Sequence, residues 1–177
     1  MPREAHQALI ALILLCCLSA GARACWNEAA QRYGVPAELL YAMAKVESGL
    51  NPRAVNRTHA HRTRSIDIGL LQINSRHLPA LAPFGISEAS LYEPCTNLHV
   101  GAWLLADLFA RKGLSWDSVG AYNAACSELK GNACTQARAR YAWKVYRHLP
   151  TQHAGPQRQG VSAPRPVETQ LAGRGMR

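Results

Sequence analysis

The chain has no apolar run long enough to cross a membrane as a helix. Its longest, Ala8 to Leu18, is 11 residues, whereas a span needs roughly 20. No two cysteines have CxxC spacing, and none has a histidine at a finger-like distance, so the common zinc-site patterns are missing. Convincing apolar–polar alternation is also missing, which leaves strands as no expected major element. Acid is scarce: 11 Asp and Glu stand against 20 Lys and Arg, for a formal charge of +9. Such a basic surface suits an anionic polymer or a membrane surface. Nucleic acid fits poorly as a partner, since no reader motif appears.

What is present divides the 177 residues into one folded unit and two flanks. Arg3, the apolar run and Ala22-Arg23-Ala24 make a secretory signal peptide over residues 1–24. Its removal takes Cys16 and Cys17 with it, leaves no membrane span and places the protein in the periplasm. No Leu stands three residues before Cys25, which counts against a lipidated anchor. Residues 151–177 carry Pro156, Pro164, Pro166 and four glycines, with four arginines against one glutamate. That composition predicts a flexible basic tail. The domain therefore falls at 25–150. Its four cysteines, Cys25, Cys95, Cys126 and Cys134, read as two disulfides in an exported protein. Three pairings are open. Cys126 with Cys134 would staple a short polar loop and leave Cys25 to Cys95, and this pairing ranks first.

Within 25–150 the apolar pattern is helical. Asn27 is a candidate cap for a short helix ending near Gly34. Pro36 suits the first turn of a second helix, in which Leu39, Leu40, Met43 and Val46 form a 3.6-residue stripe. Gly49 is placed to end it. Leu50 to Ser65 is a polar, basic loop by composition. A short helix is expected over Ser87 to Leu91. Thr96 to Lys112 is the candidate central helix, with Gly101 and Ala102 allowing another helix close. Trp116 to Ala124 and Gln136 to Leu149 complete a mainly α domain.

One carboxyl is singled out by its position. Glu47 borders the apolar face of the second helix at its end, where loss of solvent is expected to raise its pKa. Asp67 is the second carboxylate to consider, either assisting Glu47 or capping the turn that follows it. Gln72 and Asn74 bring amides toward the same polar groove. His59 and His61 lack further partners at a recognisable spacing, so no metal site is expected.

Three motifs, in order, carry a resemblance. Glu47-Ser48 lies in KVESGLNPRAVN, Gly69 to Asn74 reads GLLQIN, and Ala121 to Ala124 reads AYNA. Together with PCTNLHVGAW from Pro94 to Trp103, they resemble the soluble lytic transglycosylases. The closest likeness is to the small type associated with conjugation, type III or type IV secretion and pilus systems, over about residues 25 to 149. The resemblance implies a single lysozyme-like domain of the goose-type or SLT-like kind. It implies that Glu47 is the catalytic acid, with Ser48, Gln72, Asn74, Tyr122 and Asn123 binding substrate and Tyr122 hydrogen-bonding near the acid. The implied substrate is the peptidoglycan glycan strand, cut between N-acetylmuramic acid and N-acetylglucosamine without metal or cofactor. The implied partners are components of an envelope-spanning machine. A hydrolytic muramidase using Asp67, and a non-catalytic wall-binding assembly subunit, are the alternatives. Three departures stand out: a longer Arg/His-rich interval between Glu47 and Gly69, Leu71 where Met is usual, and Ala125 where Gly is common.

Overall fold

A computed structural model describes residues 25–150. The signal peptide and the basic tail expected from sequence lie outside the described residues. The described chain is built from seven helices, three very short strands and several 3-10 turns. Helix α1 covers residues 25–33 and α2 is Ala37–Ser48. The strands β1 (Val55–Asn56), β2 (Asp67–Ile68) and β3 (Ile73–Asn74) are joined by the short α3 (Ala60–Thr63) and a turn. After the single-turn α4 (Leu78–Leu81) come α5 (Pro94–Lys112), α6 (Trp116–Asn123) and α7 (Gly131–Tyr146).

Helix α2 forms where the stripe predicts it. Leu39, Leu40 and Met43 are buried, and full burial of Leu40 and Met43 contributes roughly 2 kcal/mol apiece. Glu38 in the first turn and Lys45 in the last complement the helix dipole. Gly49, in the left-handed conformation, closes the helix with its N–H on the Ala44 and Lys45 carbonyls. Helix α5 has 19 residues and starts with Pro94 in its first turn. Its buried residues include Leu98, Val100, Ala102 and Leu105. Gly101 does permit a close approach, but by the Leu71 side chain and not by another helix: a Cβ there would collide with Leu71. Helices α6 and α7 pack together, and at Gly120 a Cβ would lie 2.6 Å from the Arg138 carbonyl oxygen.

Four expectations are corrected. Asn27 lies within α1 and is exposed, so it caps nothing. The helix expected over Ser87 to Leu91 is a 3-10 turn over Ala89–Tyr92. The last helix starts at Gly131 and ends at Tyr146, because residues 147–149 close it with turn hydrogen bonds instead. The fourth correction is the sheet. Val55 pairs with Ile68 and Ile68 with Ile73, while Asn56 pairs with Asp67 and Asp67 with Asn74. Neighbouring rungs of a sheet face opposite ways. Ile68 and Ile73 are accordingly buried in the core, whereas Asn56, Asp67 and Asn74 form a polar rung.

Two disulfides close the domain. Cys25 joins Cys95, tying α1 to the start of α5, and Cys126 joins Cys134 across the α6–α7 connection.

Candidate active site

The closing turn of α2 sets Glu47 at the floor of a groove of about 770 Å³. Asp67 and Asn74 line one side from the sheet, and Tyr122 and Asn123 line another from the end of α6. The segment from Cys126 to Leu129, held by the Cys126–Cys134 disulfide, forms a further edge. Arg111 and Asp107, paired with each other on α5, also border the groove.

Burial is the main reason that Glu47 holds its proton to about pH 7 instead of its ordinary 4.5. The Tyr141 hydroxyl, which donates to Glu47 Oε1 at 2.6 Å, works against that rise. The nearby Asp67 charge adds to it and Lys144 subtracts from it. The result is an acid poised near neutrality. The Tyr141 hydroxyl is itself driven well above its ordinary 10, first by burial and then by the Glu47 charge.

Tyr141 is the site residue that sequence reasoning missed. The helical stripe of α7 marks it as a packing residue, and it is buried. Nothing local reveals that its hydroxyl meets an acid 94 residues away in the chain. Tyr122, expected beside the acid, lines the same groove but donates to the Leu71 carbonyl at 3.0 Å. Its hydroxyl is raised well above 10 by burial, then by the Glu47 and Asp67 charges.

The other expected site residues divide into two groups. Asn123 is exposed at the groove. Ser48 donates to the Leu70 carbonyl at 2.9 Å and to the Ala44 carbonyl at 3.2 Å, which fastens the GLLQ turn to the end of α2. Gln72 adopts a left-handed conformation with φ 47°. Its amide donates to the carbonyls of Gly69 (2.9 Å) and Ala54 (3.2 Å), bracing the same turn. Gly69 is required there twice over. Its φ is +77°, and a Cβ would sit 2.6 Å from the Leu91 carbonyl oxygen.

Asp67 does not cap the turn. The cap seen nearby belongs to the next element: Asn74 heads the 3-10 turn Ser75–His77 and accepts from the Arg76 N–H at 3.0 Å. Asp67 instead accepts from Asn74 Nδ2 (2.7 Å), His59 Nε2 (2.7 Å) and Asn56 Nδ2 (3.3 Å). His59 thus belongs to the site's frame, although composition alone assigns it to a solvated loop. Among the described residues no group of three or more His, Cys, Asp and Glu is arranged to hold a metal.

A carboxyl that burial holds protonated to about pH 7, on an open groove in a small helical domain, fits a glycan-cleaving site of the lysozyme-like class. Comparison with known proteins agrees. The profile of the transglycosylase SLT domain matches residues 24–144. Invasion protein IagB of Salmonella typhi is 39% identical over 148 residues, covering 81% of this chain and 88% of that protein. Protein IpgF of Shigella flexneri is 41% identical over 137 residues, covering 76% and 86%. The crystal structure of an inactive mutant of lytic transglycosylase Slt from Pseudomonas aeruginosa aligns with TM-score 0.56 at 20% identity. That alignment spans 72% of this chain and 23% of that one, and it carries the fold. The chain belongs to the transglycosylase SLT-domain family and is a lytic transglycosylase.

Proposed function

We propose that this protein cleaves peptidoglycan glycan strands between N-acetylmuramic acid and N-acetylglucosamine and leaves 1,6-anhydromuramoyl ends. The observation that carries the reading is Glu47, a half-buried carboxyl protonated up to about pH 7 and hydrogen-bonded by Tyr141. In the first half of the cycle, Glu47 donates its proton to the glycosidic oxygen as the bond to C1 breaks, and the N-acetylglucosamine leaves as an alcohol. The muramoyl N-acetyl oxygen holds the electron-poor C1. In the second half, the Glu47 carboxylate takes the proton of the muramoyl O6 hydroxyl and O6 bonds to C1. Glu47 ends protonated, as it began, and no water is consumed. Tyr141 stabilises the carboxylate between the two halves. Chemistry of this kind requires no metal or organic cofactor.

A hydrolytic reading is favoured by one observation: Asp67 lines the same groove and its charge acts on Glu47. Two carboxylates across a groove are the arrangement of ordinary glycosidases. Three donors already occupy Asp67, which suits a fixed anion better than an attacking or water-activating one. Mass spectrometry of digested peptidoglycan separates the readings. Anhydromuramoyl products are expected, and reducing muramoyl ends would replace the transglycosylase reaction with hydrolysis directed by Asp67.

Tyr141→Phe tests the acid's tuning. The hydroxyl favours the ionised carboxylate, so its loss raises the Glu47 pKa further. The high-pH limb of the rate profile is expected to move upward. Turnover should fall roughly tenfold or more, because the carboxylate intermediate loses a charge-assisted hydrogen bond. An unmoved limb would remove Tyr141 from the acid's environment.

The biological role we infer is local opening of the wall where a secretion, conjugation or pilus apparatus is built. It rests on the motifs shared with that subgroup and on the likeness to an invasion protein. The periplasmic setting rests on the export signal read in residues 1–24, ahead of a catalytic domain at 25–150 and a basic tail at 151–177. Among the described residues no helix is long and apolar enough to cross a membrane.

A further inference from the structure

Away from the groove, α6 and α7 carry an aromatic shelf that the catalytic site does not use. The Trp143 and Tyr146 rings stack with centroids 5.3 Å apart and planes 14° from parallel. Trp116 meets Tyr146 edge to face at 5.6 Å. Their exposures are 59% for Trp143, 50% for Tyr146 and 44% for Trp116, so three large rings are half open to solvent on one surface. Rings of this size are usually buried or engaged, and an open cluster marks a contact surface.

Cations bracket the shelf. Arg140 and Arg147 lie three residues before and four after Trp143, one helical turn away on each side. Both are exposed, and neither forms an ion pair among the described residues. Lys144 shares that stripe and is close enough to Glu47 to bias its titration. None of Arg140, Trp143, Lys144 and Arg147 lines the groove, so the stripe is a separate surface of α7. A ligand suited to it offers flat C–H faces for the electron-rich face of Trp143 and carboxylates for the guanidinium groups.

We propose that the exposed face of α7 centred on Trp143, with Arg140 and Arg147, is a second, non-catalytic binding site for the peptidoglycan strand. Pyranose rings supply the C–H faces, and the carboxylates of the stem peptides supply the negative charge. The inference rests on the peptidoglycan reading above, since only a polymer carrying both features meets the groove and the shelf together. Holding one strand at two places raises effective concentration at the groove without any new catalytic contact.

The test uses the whole exported chain with Glu47→Gln, so that binding is read without cleavage, in sedimentation with purified peptidoglycan sacculi. Trp143→Ala is expected to weaken binding about tenfold, the size of one aromatic contact. Arg140→Glu with Arg147→Glu is expected to weaken it further and to reduce its salt dependence. Trp143→Phe should restore most of the loss. With Glu47 intact, each shelf variant should cut a short soluble muropeptide tetrasaccharide at the unaltered rate and sacculi more slowly. Sacculus binding unchanged by Trp143→Ala overturns the proposal. So does Trp143-dependent binding to phosphatidylglycerol vesicles without any to sacculi, which would make the shelf a membrane contact. Failure of the unaltered chain to cut the short substrate would instead count against the catalytic reading, and the sacculus-binding comparison would still decide the shelf.

Discussion

Glu47→Gln is expected to end glycan cleavage and, above neutral pH, to make the protein more stable. The loss of activity follows from removing the sole proton donor to the leaving oxygen and should be roughly 10³-fold or more. The gain in stability follows from the same burial that makes the group an acid. In the folded protein the Glu47 carboxyl titrates near 7, against an ordinary 4.5. Below pH 4.5 it is protonated in both folded and unfolded chains and carries no penalty. Between 4.5 and 7 the folded chain binds the extra proton, so stability falls as pH rises. Above about 7 the full penalty of a buried carboxylate is present, on the order of 3 kcal/mol as an upper figure. Glutamine carries no charge at any pH, and its amide oxygen can still accept from Tyr141. Urea unfolding at pH 4 and pH 8, beside mass spectrometry of the digest, checks both halves. Equal stability of the two proteins at pH 8 would mean that Glu47 is not a buried neutral acid. Cleavage retained in the variant would mean that it is not the donor.

The position of that acid was legible in the sequence, and the reason is local. The stripe of Leu39, Leu40 and Met43 gives α2 its buried face, and Gly49 ends the helix one residue after Ser48. Helices α5 and α6 are legible in the same way, from periodic apolar positions and the Gly113 break. The sheet is not, because each strand has two residues and alternation needs at least four to be seen. For that reason the Leu50 to Ser65 segment reads as loop, although Asn56 and His59 meet Asp67 across it. The tyrosine at the acid was the other loss. Tyr122 and Tyr141 both sit on helices, and only the packing of α7 against α2 decides which hydroxyl reaches Glu47. Spacing along the chain carries no record of that choice.

Asn97 gives the second large effect, and here the sequence pointed to a motif without its reason. This asparagine of α5 is 1% exposed and fully engaged. Its Oδ1 accepts from the Leu71 N–H at 2.8 Å, and its Nδ2 donates to the carbonyls of Leu91 (2.8 Å) and Ile68 (2.9 Å). Leu71 offers its own carbonyl to Tyr122, and the turn it belongs to holds Gln72 and is fastened to α2 through Ser48. One side chain therefore ties the central helix to the turn that shapes the groove floor. Asn97→Leu fills similar space but leaves three buried backbone groups without these partners. Each such group costs about 1–3 kcal/mol, so a combined loss of roughly 3–5 kcal/mol is expected, allowing for non-additivity. Asn97→Ala should cost somewhat less, because the vacated space admits water to the same polar groups. For a domain of this size the melting point should fall by roughly 10–20 °C. Asn123→Ala, at an exposed groove position, should leave it unchanged and serves as the control. At temperatures where Asn97→Ala is still folded, KM for glycan should rise more than kcat falls. Glu47 and Tyr141 keep their mutual hydrogen bond while the turn beside them loosens. A melting point within 2 °C of the unaltered protein would show that the turn is held by its own backbone and the Ser48 and Gln72 contacts, with Asn97 a bystander.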